Sequence, residues 1–156
     1  MEKVSVVVLW SLIVVSGMVL GGSVFERLCL SPLWAGAPPE SVTSWTLGVI
    51  QRPFFQAVVP LWTLLAVAAA ALSPAMPSAA RPWARAIAVV AVLVFVSTIA
   101  FFVPILEKTQ ANRGAGLPPE EITRLARQFV NWSLLRTIGV AGTCLAAIRA
   151  LILASR

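Results

Sequence analysis

Four stretches of this chain, residues 4–23, 54–72, 86–106 and about 130–153, are long and apolar enough to cross a bilayer, whose hydrocarbon takes about 20 consecutive apolar residues as helix. This feature constrains the fold before any other. Backbone that enters hydrocarbon must satisfy its own N–H and C=O groups, and runs of this length do so as helices. The composition agrees, with 59% hydrophobic and 12% charged residues in 156, too oily for a soluble domain. The expected fold is all-α: one integral membrane domain over residues 1–156, a bundle of four transmembrane helices.

An internal duplication organises the chain. Gly36, Pro38, Pro39, Glu40 and Thr43 recur 80 residues later as Gly116, Pro118, Pro119, Glu120 and Thr123, and Val42 is answered by Ile122. Upstream, Val24-Phe25-Glu26-Arg27 is mirrored by Ile105-Leu106-Glu107-Lys108 at an offset of 81. The expectation is two parallel repeats, residues 1–74 and 85–156, related by an axis along the membrane normal. Lys3 before an apolar run that ends in Gly21, Gly22 and Ser23 also reads as a signal peptide. Because its repeat partner is an internal span, helix one is expected to be retained.

Two long loops, 24–53 and 107–129, are expected to cap the side opposite the termini. Proline suits the first turn of a helix, where no backbone donor is needed, and glutamate suits its positive end. Helices should therefore begin near Pro39 and Pro119, the first a separate or kinked interfacial helix over residues 39–51 ended by Pro53, the second continuous with span four. There Glu120 and Arg124 stand four apart in the favourable order. Lys3, Arg81, Arg85, Arg149 and Arg156 lie with Glu2 on the terminal side. Seven basic residues lie on the loop side, but with five glutamates. Crowding of Arg81 and Arg85 into a short connector favours cytoplasmic termini, in a bacterial inner membrane.

The chain has no His, no Asp and no Tyr, so histidine-ligated metals, a Ser-His-Asp triad and an Asp proton relay are not expected, nor is a cofactor or metal. Cys29 and Cys144 make neither a metal cage nor a disulfide framework, and Cys144 reads as an inert thiol among Ala and Leu. The net charge of +6 sits at the ends of apolar runs, so anionic lipid headgroups rather than nucleic acid are the expected counter-charge. Candidate chemistry falls to Glu26 and Glu107, which are expected to end helices one and three at matching depth. A carboxylate at the bundle's mouth can act as a base or anchor a cation or hydroxyl. It can equally pin a helix end by pairing with the basic residue beside it, or with Arg52, Arg127 or Arg136.

On span four, Leu125, Phe129, Trp132 and Arg136 form a stripe that places Trp132 and Arg136 for a cation–π contact. Arg136 either snorkels to headgroups or faces inward, where Arg127, Asn131, Trp132, Arg136 and Gln56 would bind substrate beside a repeated Glu. Gly17 and Gly21, and Gly139 with Thr143, offer small faces for helix packing. Pro60 and Pro104 free carbonyls that a ligand or Ser97 and Thr98 can use. Trp34, Trp45, Trp62 and Trp83 read as interfacial indoles.

Phe101-Phe102-Val103-Pro104, the segment from Leu117 to Glu121 and the start of span four up to Arg136 resemble a family of small four-helix bacterial and fungal membrane proteins that includes the anthrone oxygenases. The resemblance runs the length of the chain. The family carries a Trp seven residues before its Arg and an Asn three before it, where this chain has Phe129 and Ser133. The resemblance implies a membrane-embedded, cofactor-independent oxygenase acting on a hydrophobic aromatic or isoprenoid compound; from their positions, Glu26 or Glu107 is expected as base and Arg136 or Arg127 as cation. The alternative is a non-catalytic membrane subunit that binds lipid or packs, as a homo-oligomer or within a larger complex. A transporter is a weaker third reading.

Overall fold

The computed structural model describes residues 2–155 as helix and turn, with no strand among the described residues. Arg156 and the Glu2 side chain, both counted above as terminal-side charges, lie outside what it describes. Four helical runs are long and apolar enough to span a membrane: Lys3–Ala35, Arg52–Ala71, Arg81–Ala111 and Pro119–Ala154. The first joins α1 (Glu2–Phe25) to α2 (Ser31–Ala35) through a π-helical turn, Glu26–Leu30. After the short α3 (Glu40–Thr43) comes the second span, α4 (Arg52–Ala71). The third contains α5 (Arg81–Ser97), a π turn at Thr98–Phe102, α6 (Val103–Leu106) and a π turn at Glu107–Ala111. The fourth is α7 (Pro119–Ala154), 36 residues without a break.

The spans pack in a ring, α1 on α4, α4 on α5, α5 on α7 and α7 on α1. Cross-contacts fix the neighbours as antiparallel. Trp62 reaches Ser16 while Phe54 lies at Gly22, and Val90 lies at Gly139 while Phe102 meets Phe129. One apolar core fills the ring from Leu9 to Ala154. A second gathers Trp34, Val42 and Trp45 against Phe102, Ile122 and Phe129 at the loop end.

Proline explains two of the three π turns. Pro104 has no N–H for the carbonyl four residues back, and the ladder widens there, so that the Val103 N–H donates to the Thr98 carbonyl. Pro32 follows the same arrangement, with the Ser31 N–H donating to Glu26. The third turn closes through Asn112 N–H to the Glu107 carbonyl, just before Arg113, Gly114 and Gly116 at positive φ. Widening the ladder at the first two lets the helix continue, so Glu26 does not end its helix as expected but opens a π turn inside it. Glu107 opens the last turn of the third run, which ends at Ala111.

α7 begins at Pro119 as expected, but the helix expected over residues 39–51 stops at Thr43. The Thr43 and Ser44 hydroxyls bond back to the Glu40 carbonyl, and the chain then leaves helical geometry through Gly48 at φ +61°. Pro53 sits in the first turn of α4 and opens that helix. Three of the four tryptophans expected at interfaces are core residues. Trp34, Trp45 and Trp62 are buried, and Trp62 donates to the Ser16 hydroxyl at 2.9 Å; Trp83 is exposed.

The glycines divide between inside and outside. A Cβ at Gly22 would collide with the Phe54 ring, so this position carries the α1–α4 approach. Gly17 and Gly21 have nothing within 4 Å of where a Cβ would stand and are exposed, so this pair does not pack within the bundle, contrary to the expectation of intramolecular packing. Gly139 does pack, against Val90. Gly22→Val should lower the unfolding midpoint in detergent, by about 1–3 kcal/mol for overpacking, while Gly17→Val leaves it within about 0.5 kcal/mol. Equal effects at the two positions would contradict this packing.

Candidate binding and catalytic site

The loop-side third of the bundle holds two ion pairs that cross between the halves of the chain. Glu26, from the first span, accepts from Arg136 Nη2 of the fourth at 2.8 Å, and both side chains are more than nine-tenths buried. Glu107, from the third span, accepts from Arg52 Nη2 of the second at 2.9 Å, with both side chains nearly half exposed. Neither glutamate uses the basic residue beside it. Arg27 instead donates to the Val130 carbonyl on α7 at 2.9 Å, a further tie between the first and fourth spans.

Each end of the inner pair is held by more than its partner. The Arg136 guanidinium lies 4.5 Å from the Phe102 ring centroid and 5.4 Å from that of Phe55. These aromatic faces soften its transfer from water, each such contact being worth about 2 kcal/mol where desolvated. Phe102 is fixed in turn by an edge contact with Phe129, which meets Trp34. The second Glu26 oxygen accepts from Gln51 Nε2 at 3.4 Å, and the same amide donates to Gln110 Oε1 at 3.2 Å. Three buried polar atoms around this network have no hydrogen-bond partner among the described residues: Gln51 Oε1, Gln110 Nε2 and Arg136 Nε.

Beside the inner pair lies a cavity of about 340 Å³. Its walls come from α4, including Phe55, Gln56, Val59 and Pro60, and from the third span, including Phe95, Thr98, Ile99, Phe102 and Val103. Glu26, Arg136 and Gln51 stand at its inner polar end, with Arg52 and Glu107 at the rim. Two guanidinium and two carboxylate groups border it, so the charge around the cavity sums to zero. Irregular helix is tolerated at membrane depth where it lines a cavity, and the third span has the Thr98–Phe102 π turn here, opposite Pro60 of the continuous α4. Thr98 and Ser97 bond to the Val94 carbonyl and not to the one Pro104 leaves without a donor.

Of the residues expected to form one site, Glu26, Glu107, Arg136 and Gln56 share this cavity. Arg127, Asn131 and Trp132 do not; all three are exposed and line a separate outward groove along α7. For Arg127 and Asn131 the reason is helical phase. Nine residues at about 100° each put Arg127 half a turn from Arg136, and Asn131 is nearly as far round. Trp132 makes an edge contact with Phe101 at 6.0 Å, and the expected Trp132–Arg136 contact is replaced by Phe102 and Phe55. The stripe that points inward is Phe129, Ser133, Arg136. Arg124 pairs with Glu121, three residues back, and not with Glu120.

Gln51, Gln110, Phe55 and Phe102 complete the site, and none was assigned a role from sequence. Gln110 carries a legible signal, lying three residues after Glu107, but Gln51 reads as a loop amide until the fold brings it to Glu26. Among the described residues no three His, Cys, Asp or Glu side chains gather as metal ligands. No family model, curated protein or solved structure matches the chain.

Removing one partner of a buried pair leaves a charge without compensation, which costs about 3–5 kcal/mol. Arg136→Met and Glu26→Gln should each destabilise on that scale in detergent unfolding, and the double variant should recover most of the loss. Additive losses would contradict the pairing. Charge reversal at exposed Arg52 or Glu107 should cost no more than about 1 kcal/mol.

Proposed function

We propose that this integral membrane protein binds a hydrophobic aromatic or isoprenoid compound in the Glu26–Arg136 cavity and oxidises it as a cofactor-independent oxygenase, in keeping with its resemblance to the anthrone oxygenases. The observation that carries the reading is that both repeated glutamates and Arg136 border one apolar cavity. In the reaction a glutamate takes a proton from an activated methylene of the substrate, and Arg136 steadies the oxyanion form of the conjugated carbanion. Electron transfer to O₂ and collapse to a peroxide follow. Loss of water then leaves the methylene as a carbonyl, so CH₂ and O₂ become C=O and H₂O. Its depth supports Glu26 as the base, and its position at the exposed rim supports Glu107 as the group that exchanges protons. The protein works in a bacterial inner membrane with both termini cytoplasmic, and lipids are its surroundings.

With an anthrone as substrate, Glu26→Gln should lower O₂ consumption by about 100-fold or more, the usual scale of general-base catalysis. Unchanged turnover in both Glu26→Gln and Glu107→Gln would overturn the assignment.

A second reading, a non-catalytic subunit of a larger membrane assembly, is favoured by the open Gly17–Gly21 face of α1, which none of the described residues covers. It predicts that Gly17→Leu disrupts co-purification of a second membrane polypeptide while the bundle keeps its unfolding midpoint. The oxygenase reading predicts full O₂ uptake from the same variant.

A further inference from the structure

We infer that the cavity is loaded sideways from the bilayer, between α4 and the π turn of the third span, and that its ligand is a neutral tailed amphiphile whose small head both gives and accepts hydrogen bonds. The inference rests on the binding reading above and narrows it to a ligand form and a route.

The route follows from which lining residues are exposed. Away from the Arg52–Glu107 rim, the exposed members are Gln56 on α4 and Ile99 on the third span, the latter 55% accessible. Both lie on outward faces of membrane-spanning helices, so the surface they share meets lipid. The aqueous end is bridged by the Arg52–Glu107 pair, which ties the same two walls together. Pro60 and the Thr98–Phe102 π turn both line the gap, and the proline ring with the widened turn keeps the walls from closing by regular ridge-into-groove packing.

The head chemistry follows from the inner end of the cavity. Glu26, Gln51 and Arg136 are its buried polar lining there, supplying both donors and acceptors. A head that exchanges hydrogen bonds with them is favoured over bare hydrocarbon. The two ion pairs leave no net charge to balance, so a neutral head is favoured over a phosphate or an ammonium. A volume of about 340 Å³ is at the lower end of ligand sites, which run from about 300 to 1,000 Å³, so it takes a head of no more than a few fused rings. A long chain has to leave through the mouth into lipid.

The test uses the full chain in lipid nanodiscs and a photoreactive decyl-hydroquinone whose diazirine lies on the tail, with cross-links mapped by mass spectrometry. Labelling is expected on α4 and the third span around Gln56 and Ile99. It should fall about tenfold in Gln51→Leu, the scale of one buried hydrogen bond, and comparably in Ile99→Trp, which plugs the mouth. Decyl-hydroquinone should compete at concentrations where tail-less hydroquinone does not. Ile99 is a surface residue, so an unchanged unfolding midpoint in Ile99→Trp separates a blocked mouth from a misfolded bundle. Labelling that depends on Gln51 but is indifferent to Ile99→Trp, and is competed equally by both hydroquinones, would overturn the lateral route and the tail while leaving the cavity as a binding site. Labelling indifferent to Gln51 as well, in a folded protein, would overturn the binding reading with it.

Discussion

A carboxylate and a guanidinium held out of water at 2.8 Å are the interaction on which the loop-side half of this bundle depends. Neither group can be left alone in a low-dielectric interior, so wherever Glu26 goes Arg136 must follow. That couples the first span to the fourth at one depth. The Arg27 bond to the Val130 carbonyl repeats the coupling one residue on. Phe102, pressed on the guanidinium, brings the third span to the same level, and Gln51, at the foot of α4, brings the second. All four spans are thus registered by one charged pair and the groups that solvate it. On the terminal side a different means serves, with alanines at Ala66, Ala69, Ala84, Ala91, Ala147 and Ala150 buried so that backbones approach closely.

Proline placement turns this registered bundle into one with a cavity. Pro32 and Pro104 each follow a widened turn rather than ending a helix, so Glu26 and Phe102 are delivered from within continuous spans. Irregular backbone is usually filled in by neighbours. Here the fill is partial, and the remaining space lies against the one pair of charges in the described structure that is fully taken from water. An apolar chamber ending in a neutralised ion pair is the feature on which the proposed binding of a weakly acidic organic molecule rests. The outer pair of Arg52 and Glu107 repeats the composition at the rim, where water lowers its worth.

The spans and the helix start at Pro119 were legible because apolar length and proline position are local signals. The two glutamates stood out for a related reason, as carboxylates next to hydrocarbon in a chain with six acidic residues. The continuation of helix past Glu26 was not legible, because proline reads as a terminator and only the surrounding packing selects a π turn instead. The grouping of Arg127 and Asn131 with Arg136 failed on something the sequence did contain: their helical phase places them on the opposite face of α7. The tryptophans failed the other way. Trp34 and Trp62 carry no local mark that separates a core indole from an interfacial one, and only the partner, Ser16 for Trp62 and Phe129 for Trp34, decides. Gln51 joined the site through a contact across 25 residues that no local pattern announces.

The most direct test of this picture is solid-state NMR of the protein in lipid bilayers, with ¹⁵N in the Arg136 guanidinium and ¹³C in the Glu26 carboxylate. A strong dipolar coupling between the two, with no transfer of magnetisation from lipid phosphate to Arg136, is the expected result. An Arg136 guanidinium coupled to headgroup phosphorus and not to Glu26 would mean that it snorkels outward, and neither the registered bundle nor its cavity would stand.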